Sequence, residues 1–147
     1  MLTCFDVADY FLSRCDDESG DLISNLKLQK LVYYAQGFSL ALLGEPLFEE
    51  KIEAWMHGPV VAKLYGKYKK YGKDPLPFEG FDESKFTEDQ LDLLDEVYDV
   101  YGQFSAWKLR NMTHEEEPWS DTYIDGAGPI SIPNEKMESF FKTLVVQ

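Results

Sequence analysis

Apolar residues recur three and four positions apart in several stretches of the chain. Short polar or Gly/Pro-containing breaks separate these stretches, a spacing that predicts helices each burying one face. The first helix is expected to start at Thr3, whose hydroxyl can cap it. Asp6 suits its first turn, and Val7, Ala8, Phe11, Leu12 and Cys15 form its stripe. A polar loop, Asp16 to Asp21, follows. Ser24 or Asn25 then caps a second helix with Leu28, Leu31, Val32, Ala35, Phe38, Leu42 and Leu43 inward, stopped by Gly44 and Pro46. This is the longest and most apolar helix and is expected at the centre of the fold. Gln29, Lys30, Tyr33, Tyr34 and Gln36 fall on its other faces and need not all be buried.

The pattern changes after Pro46. Ile52-Glu53-Ala54-Trp55 alternates over a short span, as a small strand or extended crossing does. Gly58 breaks the chain, and Pro59 is placed to open a third helix with Val60, Val61, Leu64, Tyr65 and Tyr68 inward, ending near Gly72. Lys73 to Ser84 reads as an exposed, mobile loop. Thr87 and Gln90 form a capping box for a helix with Leu91, Leu94, Val97, Tyr98 and Tyr101 inside and Asp92, Asp95, Glu96 and Asp99 outside. Ser105 restarts a short helix carrying Trp107 to Arg110. After an irregular stretch around Gly126, Gly128 and Pro129, Asn134 caps a last helix with Met137, Phe140, Phe141, Leu144 and Val145 inside. The expected fold class is mainly α: a single compact helical domain over residues 1–147, of about six helices, with a short extended or two-stranded β element near residues 46–57.

Charge narrows the choice of partner. Lys and Arg number 14 and Asp and Glu 27, so the net charge is 14 − 27 = −13. Such a chain repels phosphate backbones and attracts basic proteins, so no direct nucleic-acid binding is expected. No apolar run approaches the roughly 18 residues of a membrane span, and a cytoplasmic protein without membrane contact is expected. Ten Phe, nine Tyr and three Trp supply more apolar area than a disordered composition would. Lys63, Lys67, Lys69, Lys70 and Lys73 are the one basic concentration. They form either a local docking face for an acidic partner or nucleic acid, or a solvated face set against the acidic helix.

Few residues suggest chemistry. Cys4 and Cys15 lie about three helical turns, roughly 16 Å, apart and cannot pair while the helix between them is intact. The two histidines, His57 and His114, sit beside turn residues, and no HExxH, CxxC, GxxxxGK[ST] or GxGxxG pattern occurs. A Cys–His hydrolase would need one of these cysteines to reach a histidine and an orienting Asp or Asn, and nothing local supports it. No enzymatic activity, metal or cofactor is expected.

Lys27-Leu28-Gln29-Lys30-Leu31-Val32-Tyr33-Tyr34-Ala35-Gln36-Gly37-Phe38 and Glu53-Ala54-Trp55-Met56-His57-Gly58-Pro59-Val60-Val61 resemble the Panacea domain family. That family includes SocA-like antitoxins and phage-associated GepA-like proteins. The likeness continues through Pro46-Leu47-Phe48, Leu64-Tyr65, Leu109, Thr113-His114, Pro118-Trp119 and Ile130/Ile132, covering roughly Leu26 to Leu144. It implies an antitoxin that neutralises a cognate, often translation-blocking, toxin by direct binding, the toxin being encoded by an adjacent gene in a bacterium or prophage. The alternatives are an adaptor that delivers its toxin to a protease, or an acidic phage decoy that occupies nucleic-acid-binding sites. A homo-oligomer is compatible with all three.

Aromatic side chains bring large contact area at modest entropy cost. Trp55, His57, Tyr65, His114 and Trp119 are therefore the candidate partner contacts, with a core or turn role as the competing reading for each. Asp92, Asp95, Glu96 and Asp99 are a second candidate surface, able to cover a basic site on the toxin and to steer its approach.

Overall fold

The helix expected at the centre is there, and it is buried on nearly every side. The computed structural model describes residues 1–15 and 22–145, so the predicted polar loop Asp16 to Asp21 lies outside the described residues. The central helix α2 (Asn25–Leu42) is capped by the Ser24 hydroxyl, which accepts from the Lys27 backbone N–H. Around it lie α1 (Cys4–Ser13), α3 (Ala62–Tyr68), α4 (Glu88–Tyr101), α5 (Ala106–His114) and α7 (Asn134–Leu144). A small antiparallel sheet closes one side: β1 (Ile52–Trp55) is flanked by β2 (Gly58–Val61) and β3 (Ile130–Ser131).

The architecture is mainly α, as expected, with corrections at three places. First, Gly58 to Val61 is a strand, not the start of a helix. Trp55 pairs with Gly58 and Ile52 with Val61, so Val60 and Val61 are buried from a strand and α3 begins only at Ala62. Second, the described residues hold seven α-helices rather than about six, because Glu117–Ser120 forms the single turn α6, with Pro118 near its start. Third, Ile130 and Ser131 add a third strand beyond the 46–57 element. In addition, Pro133 rather than Asn134 occupies the cap of α7, and Leu144 is exposed. The 73–84 loop is largely exposed, but Leu76 is buried and its N–H donates to the Ile23 carbonyl at 2.9 Å. Pro77 and Phe81 are half-buried, Phe81 packing edge to face on Tyr10.

The polar residues of α2 explain how one helix organises everything else. Gln36 accepts from the Leu47 N–H at 2.8 Å and donates to the Phe48 carbonyl at 2.9 Å, acting as a strand partner for a segment with no strand beside it. Gln29 accepts from the Val61 N–H at 2.9 Å and so fixes β2. Lys27 Nζ donates to the Gly102 carbonyl at 2.6 Å, and Lys30 Nζ to the Pro59 carbonyl at 3.0 Å. Buried backbone groups need partners, and these side chains supply them where secondary structure cannot. Gln29, Lys30, Tyr33, Tyr34 and Gln36 are therefore all buried.

The remaining faces of α2 are apolar. Gly37 lets α7 approach, since a Cβ there would sit 2.2 Å from the Phe141 ring. Tyr33, Phe38 and Phe141 meet edge to face, and Tyr34 stacks on Tyr101 with ring centroids 4.1 Å apart. Fully burying a side chain of this size contributes about 1.5–3 kcal/mol. α1 and α4 carry capping boxes at Thr3/Asp6 and Thr87/Gln90. No helix among the described residues is long and apolar enough to cross a membrane.

Candidate functional site

The turn between β1 and β2 projects Met56 and His57 next to one side of α5. Its shape depends on Gly58, whose φ of 109° is a conformation that side chains oppose. A Cβ at Gly58 would also lie 2.8 Å from both Lys30 Cε and Thr113 Oγ1. The hairpin thus sits directly on α2 and α5. Arg110 Nε reaches His57 Nδ1 at 3.4 Å, and the Arg110 guanidinium lies 4.5 Å from the centre of the Trp107 ring. Trp107 and Arg110, three residues apart, share a face of α5.

Four of the five aromatic and imidazole candidates are linked behind this turn, two of them in a stack and two through a backbone hydrogen bond and an edge-to-face contact. His114 lies flat on Trp119, centroids 3.9 Å apart, and Trp119 on Tyr123 at 4.7 Å. Trp119 Nε1 donates to the Trp55 carbonyl at 2.7 Å, joining α6 to β1. Tyr65 meets Trp55 edge to face at 4.9 Å. Trp55, Tyr65, His114 and Trp119 are all half-buried, whereas His57 is exposed. Sequence reasoning missed Met56, Trp107, Arg110 and Ile124 as site residues. Met56, Trp107 and Ile124 are each more than half exposed; Met56 and Ile124 line a cleft with Trp55 and Tyr123, and Trp107 lies beside His57 and Arg110. The spacing Trp107-x-x-Arg110 on one helix face is visible in the sequence, but the exposure that makes it a site is not.

Burial governs the ionisable groups beneath. Among the described residues Lys30 has no carboxylate partner, and burial, then the nearby Arg110, pushes its pKa down to about 7. Glu116 accepts from Tyr34 Oη at 2.8 Å and Tyr33 Oη at 3.3 Å, yet burial outweighs these bonds and raises it to about 7. His114 is lowered, first by burial and then by Arg110 and Lys30, and its Nε2 is buried without a hydrogen-bond partner among the described residues. The shift favours the neutral imidazole, whose flat face lies on Trp119. Cys4, on α1, is buried with its pKa raised to about 12 by burial and then by Glu50, so its thiol stays protonated and is a poor nucleophile. Among the described residues no three His, Cys, Asp or Glu side chains gather as metal ligands.

The acidic candidates divide into two pairs. Asp95 accepts from Tyr10 Oη and from Arg14 Nη1, the latter at 2.8 Å, and Asp99 lies 3.7 Å from Arg14. Those two tie α4 to α1. Asp92 and Glu96 are exposed and lack ion-pair partners among the described residues. The lysines of 63–73 are not set against α4. Lys67 lies 3.7 Å from Glu79, and it is Arg14 that faces the α4 acids.

Comparison with known proteins fits this picture. A stretch of 43 residues is 51% identical to antitoxin SocA of Caulobacter vibrioides (strain NA1000 / CB15N), covering 29% of this chain and 23% of that protein. No solved structure matches the chain. The family model described as "Antitoxin SocA-like, Panacea domain" matches residues 28–120, from α2 through the hairpin and α5 to the last residue of α6. That span contains the helix whose polar residues hold the sheet and both helices of the aromatic stack, and the chain belongs to this SocA-like, Panacea domain family.

Proposed function

We propose that the protein is an antitoxin that neutralises a cognate toxin protein by binding it directly, without catalysis. The toxin is the product of an adjacent gene and blocks translation. The grip is the surface made by Met56 and His57 of the hairpin, Trp107 and Arg110 of α5, and Ile124. The observation that carries the reading is the exposure of Trp107, Met56 and Ile124 around a rigid, hydrogen-bonded aromatic stack. An exposed Trp beside a half-buried Arg, both held in place, loses little entropy on binding, which is the character of interface hot spots. Asp92 and Glu96 add long-range attraction for a basic partner.

The test is growth of cells induced for the adjacent gene's product, with and without this protein. Arrest that the protein relieves, with co-purification of the two chains, is the expected result. Arrest without relief sinks the reading. Relief accompanied by loss of the toxin in a protease-dependent way moves it to the adaptor mechanism.

A further inference from the structure

α4 and α7 each pack on α2 and leave an open groove of about 370 Å³ between them, away from the aromatic stack. Leu42 from the last turn of α2, Val100 from α4 and Leu144 from α7 line it, and all three are exposed to nearly half or more of their surface. Lys30, beneath the hairpin, and Leu42 are 12 residues apart on one helix, roughly 18 Å, so groove and aromatic face are separate surfaces. Among the described residues, Glu96 is the one charged side chain in the lining, and no lysine or arginine lines the groove. Asp92 and Asp89 continue it at four- and three-residue spacing along α4, both exposed and without ion-pair partners among the described residues.

We infer that this groove receives an amphipathic helix from a partner protein, with its apolar stripe on Leu42, Val97 and Val100 and its lysines or arginines against Asp92 and Glu96. The walls are helices that offer no free strand edge, so an extended segment would leave its backbone unpaired, whereas a helix satisfies its own. The stretch of α4 from Leu93 to Val100 allows about two turns of contact. A second copy of this chain is the poorer occupant, because a two-fold contact here would bring two acidic rims together. The inference does not depend on the antitoxin reading, and its test reports on the groove alone.

The probe is a labelled, end-blocked peptide of about 16 residues, with leucines at i, i+3, i+4 and i+7 and lysines elsewhere, beside a scrambled peptide of the same composition. Binding is followed by fluorescence anisotropy and mapped by amide chemical shifts on the full chain. Expected are shifts confined to the ends of α2 and α7 and the groove side of α4, with the scrambled peptide about tenfold weaker. Leu42→Glu should weaken binding by a similar factor. Should that variant unfold, Glu96→Lys tests the same groove with an exposed residue, and its loss of affinity should shrink as salt rises. Equal binding of both peptides, or shifts elsewhere on the surface, would overturn the inference. So would a dimer of the wild-type chain that Leu42→Glu dissociates.

Discussion

The hairpin–α5 face presents aromatic and polar groups to solvent and the acidic face of α4 presents carboxylates, and the two rest on different foundations. Beneath the hairpin every support comes from inside the protein: Lys30 holds the Pro59 carbonyl, Gln29 holds Val61, and Trp119 holds Trp55. On α4, Asp92 and Glu96 stand in water, and their neighbours Asp95 and Asp99 meet a partly exposed Arg14. The first surface is pre-organised and has ionisable groups out of solvent below it. The second is an electrostatic field with ordinary surface carboxylates. Neutral-range pH should therefore read the first, and salt the second.

The largest effect expected is at the support itself. Gly58→Ala forces a side chain into a positive-φ position and against Lys30 and Thr113, and should cost about 2–5 kcal/mol in chemical denaturation. A variant as stable as the wild type would show that the hairpin is not seated as described. Next come the buried ionisable groups. Lys30 falls from 10.5 to about 7 on folding, so the folded state releases its proton first, and stability rises with pH between about 7 and 10.5. Glu116 moves the other way, from 4.5 to about 7, so stability falls as pH rises across that interval. Each slope is limited to about 1.4 kcal/mol per pH unit. In denaturant melts across pH, Lys30→Met should remove the rising contribution between about 7 and 10.5, which the raised Cys4 thiol opposes from about 9 upward. Glu116→Gln should remove the falling contribution between 4.5 and about 7, and unchanged slopes would count against the buried placement.

These buried groups also mark where the sequence could not be read. The capping box at Thr87 was legible because Gln90 lies three residues on, whereas at Thr3 only the cap and a suitable first-turn acid were, not the second bond, in which Asp6 accepts from the Thr3 N–H. The polar residues of α2 were not, because the groups that need them, at Leu47, Phe48, Pro59, Val61 and Gly102, arrive from other parts of the chain. Gly58-Pro59 imitates a helix start, and only pairing with β1 makes it a strand. α6 and β3 are four and two residues long, too short for any periodicity to show. Of the candidate contacts, Trp55, Tyr65, His114 and Trp119 do converge, but as the half-buried frame behind Trp107 and Met56, whose exposure no pattern of spacing reveals.

Two smaller effects separate the surfaces in binding. Trp107→Ala removes an exposed ring and little support, so it should leave the melting temperature near that of the wild type. Toxin affinity should fall by about 2 kcal/mol, or roughly 30-fold, mostly through faster dissociation. Asp92→Asn with Glu96→Gln should slow association less than tenfold and flatten its salt dependence, as rim charges do. Stopped-flow kinetics at low and high salt distinguish the two. Equal effects on dissociation from both variants would erase the distinction between grip and steering.

The most direct test combines both surfaces in one growth assay. Cells arrested by the neighbouring gene's product receive wild type, His57→Ala/Trp107→Ala, or Asp92→Asn/Glu96→Gln at matched soluble levels. The account predicts relief by the wild type and the acidic-face variant and continued arrest with the aromatic-face variant. Full relief by His57→Ala/Trp107→Ala, with arrest persisting for Asp92→Asn/Glu96→Gln, would contradict it.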